Sequence, residues 1–231
     1  MAESLPHTVD VPAAPVLQGK DLSLRFGDAL VFSEVTVNLA RGDLLLLTGP
    51  SGGGKTSLLR VLALLQNPTS GTVALHGDEI QNVDIPRYRR RVAYLQQQPV
   101  MVRGSVRDNL LLSRQYGGDV HPSDDELREG LSQLGIASIP LEKDAAQLSV
   151  GQQQRIALLR LLLMRPSVLL LDEPTAALDP ASAASLVALV AALHEKHALS
   201  TVLVSHNSPV LPDGLQLRLA VLENGHLEPL S

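Results

Sequence analysis

The chain has 231 residues, of which 45% are hydrophobic and only 2% aromatic, so its core must be built from aliphatic side chains. A formal net charge of −5 argues against general affinity for nucleic acid or acidic membranes. The absence of cysteine excludes disulfides, thiolate metal sites and cysteine nucleophiles.

We predict a flexible N-terminal tail over residues 1–15, followed by a single domain over residues 16–231. The tail is rich in proline and alanine and lacks the apolar run of a signal peptide. Apolar and polar residues then alternate over 21–26 and 35–39, which predicts strands of an antiparallel sheet.

The most informative stretch begins at Gly49 and fits G-x-x-x-x-G-K-[ST], the phosphate-binding P-loop pattern. It follows the apolar strand 44–47 and leads into a helical sequence, as the motif requires. Lys55 is expected to reach the β- and γ-phosphates, and the Thr56 hydroxyl is expected to bind Mg²⁺. The candidate nucleotide-binding residues of this segment are Gly49, Pro50, Ser51, Gly52, Gly53, Gly54, Lys55, Thr56 and Ser57.

The remaining elements alternate between short apolar strands and helices. Residues 99–147 differ, since their helical patterns are separated by glycine and proline, and we predict a helical insertion there. Near-continuous apolar strands indicate a parallel sheet covered on both faces. The predicted fold class is therefore α/β: a P-loop NTPase core with an antiparallel β subdomain and an inserted α-helical subdomain. The further strands are predicted at 72–75, 92–95, 168–171 and 201–204, the helices at 152–164 and 181–195, and a hairpin near 221–227.

Two carboxylates, Asp172 and Glu173, follow the apolar strand 168–171. Parallel sheets bind ligands at the carboxyl ends of their strands. Asp172 is expected to hold Mg²⁺, and Glu173 is expected to orient the attacking water or accept its proton. An acidic turn after a strand is common, so this pair alone is weak evidence for a functional site. It becomes strong evidence because a P-loop lies upstream.

Ser149 to Gln152 forms the capping pattern S-x-x-Q at the start of an apolar helix. One interpretation is an ordinary helix start. The other is that Ser149, the Gly151 amide and the helix dipole together bind a γ-phosphate.

These motifs together resemble the ATP-binding cassette (ABC) ATPases over roughly residues 16–228. The segments in that family's order and spacing are 49–56, 148–155, 168–174, 177–179 and 205–206. The resemblance implies ATP and Mg²⁺ as ligands. It also implies a head-to-tail dimer, in which each nucleotide lies between the P-loop of one chain and the family's signature segment, residues 148–152, of its partner. The signature residues that it places on ATP are Ser149, Gly151 and Gln152. Val150 departs from the family, which commonly has glycine there.

Four further residues take roles that this resemblance implies. Phe26 matches an aromatic that stacks on adenine, although a core aromatic at a strand end is the alternative. Gln97, two residues before Pro99, best fits the glutamine that contacts Mg²⁺ and the attacking water. Asp179 matches the loop that couples the two sites of the dimer. His206 matches the histidine that hydrogen-bonds the γ-phosphate, although a lone histidine after a strand is usually incidental.

The implied function is an ATP-hydrolysing subunit that powers an integral membrane permease on another chain. Its implied partners are a second ATPase subunit, as a homodimer, and that permease, at the cytoplasmic face of the membrane, with no nucleic acid. Residues 97–112 resemble a small subgroup that includes a bacterial ATPase ascribed to iron export and a plant ATPase linked to aluminium tolerance, which implies export. The alternatives are a regulatory or a soluble non-transport ABC ATPase. The basic run 87–91 is interpreted as a solvated face.

Overall fold

The computed structural model describes residues 15–80, 84–112, 122–197, 199–205 and 217–230. Ten strands and six α-helices lie in these ranges. The strands are β1 (Leu17–Phe26), β2 (Ala29–Leu39), β3 (Leu44–Thr48), β4 (Ser70–Leu75), β5 (Asp78–Glu79), β6 (Val92–Leu95), β7 (Val168–Asp172), β8 (Ser200–Val204), β9 (Arg218–Glu223) and β10 (His226–Leu230). The helices are α1 (Lys55–Leu62), α2 (Ile85–Arg91), α3 (Val106–Leu110), α4 (Asp124–Gln133), α5 (Val150–Leu162) and α6 (Pro180–His197).

The larger sheet has six strands in the order β10-β9-β3-β8-β7-β6. All its neighbours pair in parallel except β9 and β10, which form an antiparallel hairpin at one edge. The carboxyl ends of β3, β6, β7 and β8 therefore meet at one edge of the sheet. That edge carries the glycine-rich loop and the two carboxylates.

Two apolar clusters cover the two faces of this sheet. Along β3, Leu45 and Leu47 belong to one cluster, whereas Leu46 belongs to the other. A strand buried on both faces gains nothing from polar positions, which is why its sequence is continuously apolar. The predicted α/β class with a mostly parallel sheet is confirmed.

A second sheet of four antiparallel strands, in the order β2-β1-β4-β5, packs beside the glycine-rich loop. Its first strand begins earlier than the alternation predicts, and its pairing with β2 shifts register after Gly19. The left-handed backbone of Asp21, with φ 50°, lies in this irregular stretch.

The two helices of the predicted insertion each begin with a reciprocal capping box. Ser105 pairs with Asp108 at α3, and Ser123 pairs with Glu126 at α4. Each box satisfies two helix-terminal amides that no intrahelical carbonyl can reach. Among the described ranges, no helix has both the length and the apolar character needed to cross a bilayer.

Helix α2, which the sequence analysis does not predict, contains the basic run. Its arginines lie mostly at the surface, but Tyr88 is only 1% exposed. The Tyr88 hydroxyl donates to the Leu62 carbonyl at 2.5 Å, which joins α2 to the end of α1. The basic run thus belongs to a short helix that packs through Tyr88 and leaves most of its arginines at the surface.

Candidate functional site

The glycine-rich loop joins the central strand β3 to helix α1, and two of its glycines are required by close packing. Gly49 has φ 139°, and a Cβ there would lie 2.2 Å from the Leu222 carbonyl oxygen. Gly54 has φ 93°, and a Cβ there would lie 2.9 Å from Val31. Only glycine combines a left-handed backbone with these approaches. The loop is therefore pressed against β9 and β2.

Lys55 is turned back onto its own loop and is only 4% exposed. Its Nζ donates to the Gly49 carbonyl at 2.9 Å and to the Pro50 carbonyl at 2.8 Å. Burial lowers the pKa of Lys55, and the negative charges of Glu173 and Asp172 oppose that shift. The ammonium thus lies where it can serve an anion held by the loop.

Asp172, at the end of β7, is 2% exposed and has a hydrogen bond at each carboxylate oxygen. Thr56 Oγ1 donates to Oδ1 at 2.9 Å, and the Tyr94 hydroxyl donates to Oδ2 at 2.7 Å. Burial raises the pKa of Tyr94 to about 12, and the hydrogen bond to Asp172 adds to the shift. The structure therefore joins the predicted residues Thr56 and Asp172 directly.

Glu173 turns away from the strand with a left-handed backbone, φ 46°, which is uncommon for a residue other than glycine. Its backbone amide donates to the Val204 carbonyl at 3.2 Å. Gln97 Nε2 donates to Glu173 Oε2 at 3.0 Å, whereas Gln96 Nε2 donates to the Gln98 carbonyl at 2.8 Å. Of the three glutamines, Gln97 is thus the one joined to Glu173.

The signature residues begin helix α5 as a reciprocal capping box. Ser149 Oγ accepts from the Gln152 amide at 3.3 Å, and Gln152 Oε1 accepts from the Ser149 amide at 3.1 Å. Val150 is 46% exposed, so its branched side chain is accommodated at the surface. A Cβ at Gly151 would lie 3.5 Å from Leu178, so the signature adjoins the segment that contains Asp179. The helix-start interpretation holds, and it leaves the phosphate role of Ser149 open.

Of the other predicted residues, Phe26 ends β1 and Asp179 directly precedes α6. Asp179 Oδ1 accepts from the Ala181 amide at 3.1 Å and the Ser182 amide at 3.0 Å, and hydrogen bonds from Ser182 lower the pKa of its carboxyl. Phe26 is 59% exposed at the end of β1, so the core alternative is wrong. His206 lies outside the described residues, directly after Ser205.

A family model described as "ABC transporter" matches residues 32–176, which include the P-loop, Gln97, the signature and both carboxylates. The chain belongs to the ABC transporter family. Its cassette is an ATP-binding, ATP-hydrolysing one. A second model, described as an AAA domain of a type IV toxin–antitoxin system, matches only residues 141–213.

Several relatives of this ABC chain are clearly similar in sequence. "ABC transporter I family member 17" of Arabidopsis thaliana is 40% identical over 87% of the chain and 78% of the relative. "Protein STAR1" of Oryza sativa is 42% identical over 75% of the chain, which spans 50% of that relative. "Probable iron export ATP-binding protein FetA" of Escherichia coli is 37% identical over 72% of the chain and 73% of the relative.

Solved cassettes support the fold of this ABC chain. CbiO1 of Clostridium perfringens, part of the ABC transporter complex cbiONQ, superposes with a TM-score of 0.79 at 24% identity, over 93% of this chain and 87% of that one. A cassette dimer in a post-hydrolysis state, bound to ADP and Pi, superposes with a TM-score of 0.76 at 25% identity, over 93% of this chain and 99% of that one.

The structure adds one residue to the site that the motifs do not mark. Tyr94 reaches Asp172 because β6 and β7 pair in register, with Tyr94 opposite Leu170. Register between strands more than 70 residues apart along the chain is not readable from the sequence. The available signal was a tyrosine on an otherwise aliphatic strand that ends just before Gln97.

Proposed function

We propose that this chain is the ATPase subunit of a transporter and drives a separate membrane permease through ATP-dependent pairing of two cassettes. The observation that carries the proposal is a pair of hydrogen bonds at one sheet edge, from Thr56 to Asp172 and from Gln97 to the adjacent Glu173. A basic loop lysine beside two carboxylates suits a triphosphate with a divalent cation better than a simple anion.

The residues at this edge fit Mg²⁺, since a hydroxyl, a carboxylate and an amide oxygen are the donors that this ion prefers. Thr56, Asp172 and Gln97 would hold it, and Gln97 Oε1 remains available because its Nε2 serves Glu173. When bound, Mg²⁺ neutralises charge on the phosphates and orients them. The described residues contain no group of three or more His, Cys, Asp or Glu side chains placed to hold a metal ion.

The residues of the chain divide the work on ATP among them. Lys55 exchanges its contacts with the loop carbonyls for phosphate oxygens, while the loop amides hold the same anion. Gln97 fixes the Glu173 carboxylate, which orients the attacking water and takes its proton. Phe26 stacks on adenine, and His206 donates to the γ-phosphate.

The second half of each site comes from another copy of the chain. Ser149 and the Gly151 amide, at the positive end of α5, would bind the γ-phosphate held by the partner's P-loop. The Leu178 side chain lies near Gly151, and Asp179 directly precedes α6. This proximity to the signature supports a role for the Asp179 segment in coupling the two sites. The signature residues and the Asp179 segment are therefore expected to face the partner on one surface.

The role of Ser149 is tested by Ser149→Ala beside the matched control Ser123→Ala. Each variant removes one capping box, at α5 for Ser149 and at α4 for Ser123, and each should cost about 1 kcal/mol of stability. Only Ser149→Ala should also lower ATP turnover, by about 10- to 100-fold, because one hydrogen bond to a charged phosphate is lost. Thermal melting and steady-state ATPase assays measure the two effects. Equal turnover in the two variants would contradict a phosphate role for Ser149.

Export linked to metal homeostasis is the direction we favour. It rests on the sequence similarity to the FetA protein, whose name includes iron export. The permease is expected on a different polypeptide, and the cassette is expected to sit peripherally at the cytoplasmic face of the membrane.

Affinity purification of tagged Glu173→Gln protein with Mg²⁺ and ATP from solubilised native membranes tests this partnership. A multi-span membrane protein in stoichiometric amount is expected, and its loss in Lys55→Ala would tie the interaction to ATP. Recovery of ribosomes, nucleic acid or only a soluble dimer would contradict the transporter assignment and favour a non-transport ABC ATPase.

A further inference from the structure

The Asp172 carboxylate accepts hydrogen bonds from two elements, helix α1 through Thr56 and strand β6 through Tyr94. Thr56 belongs to the helix that follows the P-loop, so its hydroxyl must serve the cation when nucleotide binds. Tyr94 belongs to a strand in the body of the sheet, and its ring packs against the apolar cluster that includes Leu58 and Leu170. The contact from Tyr94 to Oδ2, at 2.7 Å, is therefore the one that can persist in both states.

The Tyr94 hydroxyl is the donor of this hydrogen bond, and Asp172 Oδ2 is its acceptor. The two groups lie on the neighbouring strands β6 and β7, so the pairing of these strands keeps them within hydrogen-bond distance.

We propose that Tyr94 is a positioning residue that holds Asp172 in the orientation required to bind Mg²⁺ with nucleotide. This inference rests on the proposed function of the same site. With Oδ2 held by Tyr94, Oδ1 is the oxygen that accepts from Thr56, and it would be the one left to bind the cation. An outer-shell partner of this kind fixes a ligand and is typically worth about 10- to 100-fold in metal affinity.

The same strand separates two tasks of the site. Tyr94 lies within β6 and holds Asp172, whereas Gln97 lies two residues beyond its end and holds Glu173. Motion of the segment after β6 can therefore release Glu173 without moving Asp172. The anchor at Tyr94 keeps Asp172 in place while Gln97 and the water-orienting Glu173 change position.

Tyr94→Phe tests the inference through binding, without ATP turnover. The affinity of the full chain for the non-hydrolysable analogue AMP-PNP is measured by calorimetry in Mg²⁺ and in EDTA. We expect the gain in affinity on adding Mg²⁺ to fall about tenfold in Tyr94→Phe, with the affinity in EDTA unchanged. In an Asp172→Asn background, Tyr94→Phe should have no further effect on that gain.

Tyr88→Phe is the matched control, since it also removes a buried tyrosine hydroxyl, here one bonded to a backbone carbonyl. It should lower the melting temperature and leave the Mg²⁺-dependent gain at the wild-type value. An unchanged gain in Tyr94→Phe would overturn the inference, as would an equal loss in EDTA, which would show general damage to the loop. If the wild-type chain binds no AMP-PNP in either condition, the proposed function itself fails.

Discussion

Glu173→Gln should reduce steady-state ATP hydrolysis by about 100- to 10,000-fold, the usual contribution of a positioned general base. The substitution keeps size and leaves an oxygen that can still accept from Gln97 Nε2, which lies 3.0 Å from the carboxylate in the wild type. The ability to take a proton is lost, together with one negative charge near Lys55. The local geometry, and with it the binding of ATP, should remain.

An ATP-bound dimer should therefore accumulate in this variant. Size-exclusion chromatography with light scattering, run with Mg²⁺ and ATP, measures the dimer, and a phosphate-release assay measures turnover. Glu79→Gln is the matched control, because Glu79 is an exposed carboxylate on the short strand β5 of the other sheet. Wild-type turnover in Glu173→Gln would remove Glu173 from the chemistry.

Lys55→Ala should weaken ATP binding at least about 100-fold. A buried ammonium that meets phosphate makes charge-assisted hydrogen bonds, each worth about 1.5–3 kcal/mol. Because Lys55 also donates to the Gly49 and Pro50 carbonyls, its removal takes one hydrogen bond from each, and the Pro50 carbonyl keeps only its bond from the Gly53 amide. The P-loop of the variant should therefore be less ordered as well as less positive.

Calorimetric titration with ATP and Mg²⁺ measures the loss of affinity, and thermal melting reports whether the fold persists. Lys20→Ala, at an exposed position of β1, controls for loss of one positive charge from the protein. Unchanged affinity in a folded Lys55→Ala protein would refute the assignment of the P-loop.

Motifs with a local mechanism could be predicted from the sequence. The P-loop pattern, the carboxylates at the end of β7 and the capping box at Ser149 all follow rules that act within a few residues. Continuous apolar strands likewise predicted the parallel sheet, because a strand that is buried on both faces has apolar residues at every position.

What escaped prediction depends on contacts between distant segments. The hydrogen bond from Tyr94 to Asp172 requires the register of β6 against β7, and the Tyr88 contact requires α2 to pack on the end of α1. The return of Lys55 to its own loop could not be foreseen either. It depends on the shape of the loop, which close packing against Leu222 and Val31 determines.

The central position of β3 affects how the chain can fold during its synthesis on the ribosome. This strand, residues 44–48, pairs with β8 and β9, which span residues 200–204 and 218–223. For most of synthesis, Leu44–Thr48 is an apolar strand without either neighbour, and such exposed edges invite aggregation. Leu222, which packs against Gly49, is also made late. The P-loop can therefore take its final shape only when nearly the whole chain has been synthesised, and we expect the incomplete chain to aggregate more readily than the finished one.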